Sequence, residues 1–505
     1  MARKKMVVVR GGRLVDIAKH AAPPADILIE GDTVKEIGRP GLAAPADAEV
    51  IDAKGMLMHP GLVNGHTHGH GVLAKGMGDK WTLELLLTAA PWIGGNRTAE
   101  DKYLSTFLGA AEMLLKGCTA AYDLTFEFPA PTPEGIAACG QAYADAGMRA
   151  VLAPMVADFS FFEVIPGLVD AMPAALRADT ERYRLAPRQQ TLSAIRKALK
   201  AWKFDQDLIK PAVAPTIPHH CSDPFLTGCF RLAREFGAPI QSHVQESKVQ
   251  VVVGQKLWGL TQTGHLDKLG MLGPDFSVAH GVWLDRDDMR RLADHGSSVV
   301  HNPGSNMRLG NGIADTRGML DLGVNLGVGT DGASCSDNQN MYEAMRLASF
   351  ASKVRGPDTD RWLSTDEVLI AATEGSAKAL GFGDKVGRIA PGYKADIVFL
   401  DLAAINWLPL NDATNQIVHT EDGTSVHSVM VGGRMVVRDR KLVGVDLASL
   451  VGKVEAARAR LAKANAENKK MFERLEGVVN RFCPGLARTP YHIDHFAGGH
   501  HDHQH

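Results

Sequence analysis

Short apolar runs recur along the middle of the chain, and most end in a polar residue followed by a helix-like stretch. The runs fall at 62–63, 119–123, 150–153, 212–214, 239–243, 276–280, 298–301 and 324–331. Between them, apolar residues spaced three and four apart predict helices at 103–116, 224–235 and 287–294. Strand and helix alternating in eight such units predict an α/β fold, a closed parallel (β/α)8 TIM barrel. The alternative, an open doubly wound sheet, would want a glycine-rich phosphate loop after its first strand. Gly65-His66-Thr67-His68-Gly69 is not such a loop.

The flanks have a different rhythm. Residues 6–9, 27–30 and 34–37 read as short strands broken by Gly11-Gly12, Gly31-Asp32 and Gly38. Residues 395–400, 426–431 and 435–437 repeat that character near the other end. The expected plan is a small β-sandwich domain built from both termini, residues 1–58 and 384–446, around a barrel at 59–383. Residues 155–205 exceed a normal crossover and are read as an insertion over the barrel mouth, a lid; a peripheral helical decoration is the alternative. Residues 447–505 are expected to hold an exposed amphipathic helix and a His-rich tail. The tail, with His492, His495, His500, His501, His503 and His505, is read as a disordered polar end rather than a metal site.

The polar residues closing the apolar runs include His66, His68, His243, His280, His301 and Asp331. In a barrel the C-terminal strand ends converge on one face, where active sites lie. His66 and His68 are two apart, so a strand projects both imidazoles from the same face, as two ligands of one divalent metal require. Such a metal lowers the pKa of bound water towards ~7 and so supplies hydroxide at neutral pH. Charge points to no polyanionic partner: 55 Lys and Arg against 57 Asp and Glu give a net −2, and neither nucleic acid nor a membrane surface is expected. No apolar run approaches the ~18 residues of a spanning helix. Six scattered cysteines without paired spacing suit the reduced thiols of a cytoplasmic protein.

Pro60-Gly61-Leu62-Val63-Asn64-Gly65-His66-Thr67-His68, His243-Val244-Gln245-Glu246, His280-Gly281, His301-Asn302-Pro303-Gly304 and Gly329-Thr330-Asp331-Gly332 together resemble the amidohydrolase superfamily. More narrowly, they resemble its branch of cytosine, guanine and S-adenosylhomocysteine deaminases and triazine chlorohydrolases. The resemblance implies one divalent metal, zinc first with iron or manganese as alternatives, held by His66, His68, His243 and Asp331. It implies three catalytic groups: Asp331 to take a proton from the attacking water, Glu246 to protonate a ring nitrogen, and His280 to orient the hydroxide. Trp81, His70 and Asn306 are candidate substrate contacts. The implied reaction is hydrolytic deamination of a nitrogen heterocycle of purine, pyrimidine, pterin or triazine type. The alternatives are release of chloride or an alkylamine, and opening of a cyclic amide. A homodimer or higher homo-oligomer is expected, and a catalytically dead barrel used as a binding module is the reading from another class. Pro215-Thr216-Ile217-Pro218-His219 departs from the Pro-His-(Ser/Ala)-Pro-Tyr-like segment of the adenosylhomocysteine deaminases. With Thr216 where a substrate-binding histidine is expected, the substrate is read only as an amidine-like or aromatic ring carbon.

Overall fold

The computed structural model describes residues 5–496; the tail histidines His500, His501, His503 and His505 lie outside the described residues. The N-terminal segment forms strands β1 (Met6–Leu14), β2 (Pro24–Glu30), β3 (Thr33–Gly38), β4 (Glu49–Asp52) and β5 (Met56–Pro60). Eight barrel positions follow: β6 (Leu62–Thr67), β7 (Cys118–Phe126), β8 (Arg149–Val156), β9 (Ile209–Pro211) with β10 (Ala214–Pro215), β11 (Ile240–Val244), β12 (Phe276–His280), β13 (Ser298–His301) and β14 (Asn325–Val328). The chain then returns through β15 (Ile397–Asp401), β16 (Val426–Val431), β17 (Arg434–Arg438) and β18 (Lys441–Leu442).

Both termini enter one nine-stranded sheet, ordered β18-β17-β16-β15-β5-β1-β2-β3 with β4 on β1. Its β2–β3 end folds back on the C-terminal strands: Gly433, in the turn between β16 and β17, packs against Gly31, and the Val34 amide donates to the Tyr393 carbonyl. The sheet thus curls over one apolar core, in which Val7, Ile27 and Ile29 meet Ile397, Phe399 and Met430. Alternation in β2 and β15 places these side chains on the inner face.

The barrel strands run parallel, in a five-stranded and a four-stranded set. Backbone contacts cross both seams between the sets. At one, Val213 bridges Ile240, and the His243 amide donates to Thr216 O at 2.8 Å. At the other, the Asp331 amide donates to His66 O at 2.9 Å. Gly329 permits that second approach, since a Cβ there would lie 2.8 Å from the His66 nitrogen. The strands are buried throughout, as a parallel sheet covered by helices requires.

Two expectations need adjusting. Helix Arg188–Lys200 buries Ile195, Ala198 and Leu199 in the main barrel core, so it is the ordinary crossover helix of the third unit. The insertion proper is therefore shorter than 155–205 and lies before that helix, around the short helices Phe161–Val164 and Ala174–Thr180. The end of the described chain is also no loose polar tail. The His495 ring donates from Nδ1 to Ile313 O at 2.9 Å, and Phe496 lies edge-on to Trp283 at 5.0 Å. Helix Ala466–Ala487 packs on its own chain, where Phe472 and Leu475 join Phe161, Phe162, Leu85 and Val252 in a second core above the barrel. All six cysteines are free and buried, and no helix among the described residues is long and apolar enough to cross a membrane.

One residue joins the two sheets. The chain leaves β5 and enters β6 at Gly61, where an added Cβ would lie 2.0 Å from Thr119 Oγ1. Gly61→Ala is expected to lower stability by about 1–3 kcal/mol, as overpacked sites do. Thr119→Ala should recover part of that loss, with both read by thermal or denaturant unfolding.

Candidate active site

His66 and His68 stand at the end of β6, His243 near the end of β11, His280 at the end of β12, and Asp331 just past β14. All five converge, as strand-end positions must in a barrel. Asp331 Oδ1 lies 3.3 Å from His66 Nε2 and 3.2 Å from His68 Nε2. His68 Nε2 and His243 Nε2 are 3.2 Å apart.

The outer nitrogens decide what these contacts mean. His66 Nδ1 faces Gln241 Oε1 at 2.7 Å, His68 Nδ1 faces Leu124 O at 2.7 Å, and His243 Nδ1 faces Thr216 O at 2.6 Å. Each partner is an acceptor, so each Nδ1 carries the proton and each Nε2 presents a lone pair inward. Lone pairs facing a carboxylate and one another at this range repel unless a cation sits among them. A tetrahedral shell with ligand distances of about 2.0–2.2 Å has edges of about 3.3–3.6 Å, which matches the spacings. Among the described residues His66 Nε2 and His280 Nε2 are buried without a hydrogen-bond partner, and His66, His68 and Asp331 offer ligand atoms close enough for one ion. The donor set fits a divalent metal.

Charge follows the same demand. Burial works to raise the Asp331 carboxyl, but His66 and His68 outweigh it and hold it well below the usual range. Burial works to lower His68, and Asp331 outweighs it, so that ring is raised. Burial drives His243 well down, with the neighbouring imidazoles adding to the effect.

His280 and Glu246 sit beside this cluster. His280 donates from Nδ1 to Asn306 Oδ1 at 2.8 Å, leaving Nε2 at 3.7 Å from both Glu246 Oε2 and Asp331 Oδ2. Burial pushes its pKa down to about 4, against the pull of Asp331, so the ring is neutral. Glu246 is buried, and burial raises its pKa well above the usual carboxylate range, helped by the charges of Asp331 and Glu84. Asn311 Nδ2 donates to Glu246 Oε1 at 3.0 Å and fixes the carboxyl. His280 and Asp331 both adopt positive φ, 75° and 62°. Non-glycine residues held in that region mark sites where the surrounding fold overrides local preference.

Above the centre lies a cavity of about 550 Å³, lined by His68, His243, Glu246 and Asp331 at its floor and by aromatic residues such as Phe126 and Phe161. His70 lines it. Trp81 does not: its indole packs between Trp92 and Phe472 in the core above the barrel. Asn306 is not among the cavity's lining residues; its Oδ1 accepts from His280. Asp123 accepts from the Gly69 amide and the Tyr143 hydroxyl, a bracing role. His301 is buried behind the cluster, its pKa pushed by burial to about 3. Sequence reasoning missed Gln241 and Asn311. Gln241 was visible in principle, since it is two before His243 on the same strand and so shares its face. Asn311 comes from a loop and carries no such signal.

Gln241 fixes the ring of His66 from the outer shell. Gln241→Leu is expected to weaken metal affinity by about 10–100-fold, measured by competition with a chelator, with the fold retained by circular dichroism.

Comparison with known proteins agrees with this geometry. The family model described as Amidohydrolase family matches residues 57–436. A 5-methylthioadenosine/S-adenosylhomocysteine deaminase of Pyrococcus furiosus is 32% identical over 452 residues, 88% of this chain and 99% of that protein. Among solved structures, an adenosine deaminase from Xanthomonas campestris with bound zinc superposes with a TM-score of 0.80 at 26% identity, covering 90% of this chain and 98% of that one. The atrazine chlorohydrolase of Arthrobacter aurescens TC1, complexed with zinc, gives 0.80 at 24% over 90% and 100%, a likeness of fold. The chain belongs to the amidohydrolase family, a metal-dependent (β/α)8 barrel hydrolase whose ligand atoms converge at its strand ends.

Proposed function

We propose that the chain is an aminohydrolase that removes ammonia from a six-membered nitrogen heterocycle, with zinc as its metal. The observation that carries this reading is Glu246, a carboxyl buried beside the ligand cluster, raised by burial, and held by Asn311. An uncharged acid in that place suits protonation of a ring nitrogen. The deaminase named above, similar along nearly its whole length, supports an adenine-type purine as the first substrate to try. Zinc is supported by the imidazole-rich donor set and by the zinc in the superposed adenosine deaminase. Cytoplasmic residence is supported by six unpaired thiols. Homo-oligomerisation is supported by exposed apolar side chains such as Ile405, 81% exposed, and Leu408.

His66, His68, His243 and Asp331 would hold the metal. When bound, it supplies Lewis acidity that brings the ionisation of water within reach of neutral pH. Asp331 accepts the proton of the attacking water at its carboxylate. His280, neutral and fixed by Asn306, orients the oxygen through Nε2. Glu246 protonates the ring nitrogen next to the attacked carbon, which lets that carbon become tetrahedral. As the carbon–oxygen double bond forms, the proton held by Asp331 passes to the departing amine, which leaves as ammonia, the hydroxyl proton restores Glu246, and the ring nitrogen keeps the proton it received. Water and the C–NH2 group thus become a C=O group and NH3. The cavity wall of Phe126, Phe161 and similar residues keeps solvent from competing.

Two measurements test this. Ammonia release is expected from at least one of adenosine, 5′-methylthioadenosine, S-adenosylhomocysteine, guanine, cytosine or pterin; release of chloride from atrazine without any ammonia would favour the halide-releasing alternative. Glu246→Gln should lower kcat by about 10²–10⁴-fold while the zinc stoichiometry stays at the wild-type value. Full activity in that variant would remove Glu246 from the reaction.

A further inference from the structure

Two side chains that line the cavity carry a fully enclosed polar atom without a hydrogen-bond partner among the described residues, Arg97 Nε and His220 Nε2. The rest of the Arg97 guanidinium is committed to the fold, donating to the carbonyls of His70 and Ile93. His220 has no such commitment. Its side chain makes no hydrogen bond among the described residues, although only 5% of the residue is exposed.

The ring is nevertheless held firmly in place. Its carbonyl accepts from the amides of Asp158 and Phe159, at 3.3 and 3.1 Å, which pins the backbone at the cavity wall. On one side His219 stands edge-on to it at 4.7 Å, itself fixed by Gln262 at 2.7 Å. On another, the Phe161 ring lies 6.3 Å away. Burial pushes the His220 pKa to about 3, so the ring is uncharged at neutral pH. A neutral imidazole has one donor and one acceptor, and enclosing a ring nitrogen without a partner costs free energy that a bound ligand can return. Being uncharged, it suits a neutral ligand group better than a carboxylate or phosphate. A pre-oriented, unsatisfied polar ring in a mostly aromatic wall is the arrangement from which a pocket draws its selectivity.

We propose that His220 is a substrate-recognition residue whose imidazole hydrogen-bonds a neutral polar group, a ring nitrogen, amide or hydroxyl, on the heterocycle that Glu246 and Asp331 act upon. This assignment rests on the aminohydrolase reading above. It places the selectivity of the site in the segment after β10, where sequence comparison had pointed to Thr216, whose carbonyl is already taken by His243.

The test uses the full-length, zinc-loaded enzyme in three forms: wild type, His220→Phe and His220→Gln. Each is assayed for ammonia release from the compounds named above. On whichever compound the wild type turns over best, His220→Phe is expected to lower kcat/KM by about 10–100-fold, mainly through KM. Its melting temperature and zinc content should match the wild type, since phenylalanine fills the same space without an orphaned nitrogen. His220→Gln should regain part of the loss. A His220→Phe enzyme within about twofold of wild type in kcat/KM, or one whose loss simply parallels lost zinc, overturns the assignment alone. A wild type inert on every compound overturns the aminohydrolase reading and the assignment with it.

Discussion

Three imidazole lone pairs and a carboxylate oxygen, held within about 3.3 Å of their neighbours, form the constraint on which this structure depends. With the rings neutral, lone pairs and carboxylate in such a cluster repel unless a cation sits among them. What keeps it together is the set of hydrogen bonds pointing the other way. His66 is tied to Gln241 of β11, His68 to the Leu124 carbonyl of β7, and His243 to the Thr216 carbonyl that follows β10. These ties run between strands, so the barrel's own closure aims the rings. The same backbone that makes the fold thus preorganises the cluster in a geometry that fits a metal.

Chemistry and selectivity come from different parts of the chain. The barrel strand ends supply the clustered imidazoles and carboxyl groups. The walls above them come from segments outside the repeating units: helix Leu83–Gly94, the insertion around Phe161–Val164, and helix Ala466–Ala487 from the far end. They share an apolar core with one another and with Val249, Val252 and Val253 of the barrel helix Lys248–Trp258. A barrel that activates water can in this way serve many rings while only its upper walls change.

The sequence made the two kinds of information unequally visible. Strand-end residues were legible because a parallel barrel turns the last polar residue of each apolar run inward; that logic assembled His66, His68, His243, His280 and Asp331 from positions up to 265 residues apart (331 − 66). Gln241 obeys the same two-residue period. Asn311 does not, because it reaches Glu246 from a loop whose path depends on the Trp283 indole bonding to the Asn311 carbonyl. Trp81 misled for a related reason: closeness in sequence to His68 says little when helix Leu83–Gly94 turns the chain towards Phe472. The insertion was overestimated because a crossover helix and a lid helix have the same period, and only packing against Ile195 and its neighbours separates them.

The shared terminal sheet has a consequence for how the protein is made. β5 pairs with β15, and Pro60 opposite Ile397 spans 397 − 60 = 337 residues. At a synthesis rate of about 5–20 residues per second, β5 leaves the ribosome roughly 17–67 seconds before its partner. Throughout that interval the first five strands present an open edge, the kind that pairs with other chains. The whole barrel is synthesised while that edge waits. Biogenesis, more than final stability, is therefore where this architecture is exposed, and chaperone demand and expression temperature should bear on yield more than on the activity of the finished enzyme.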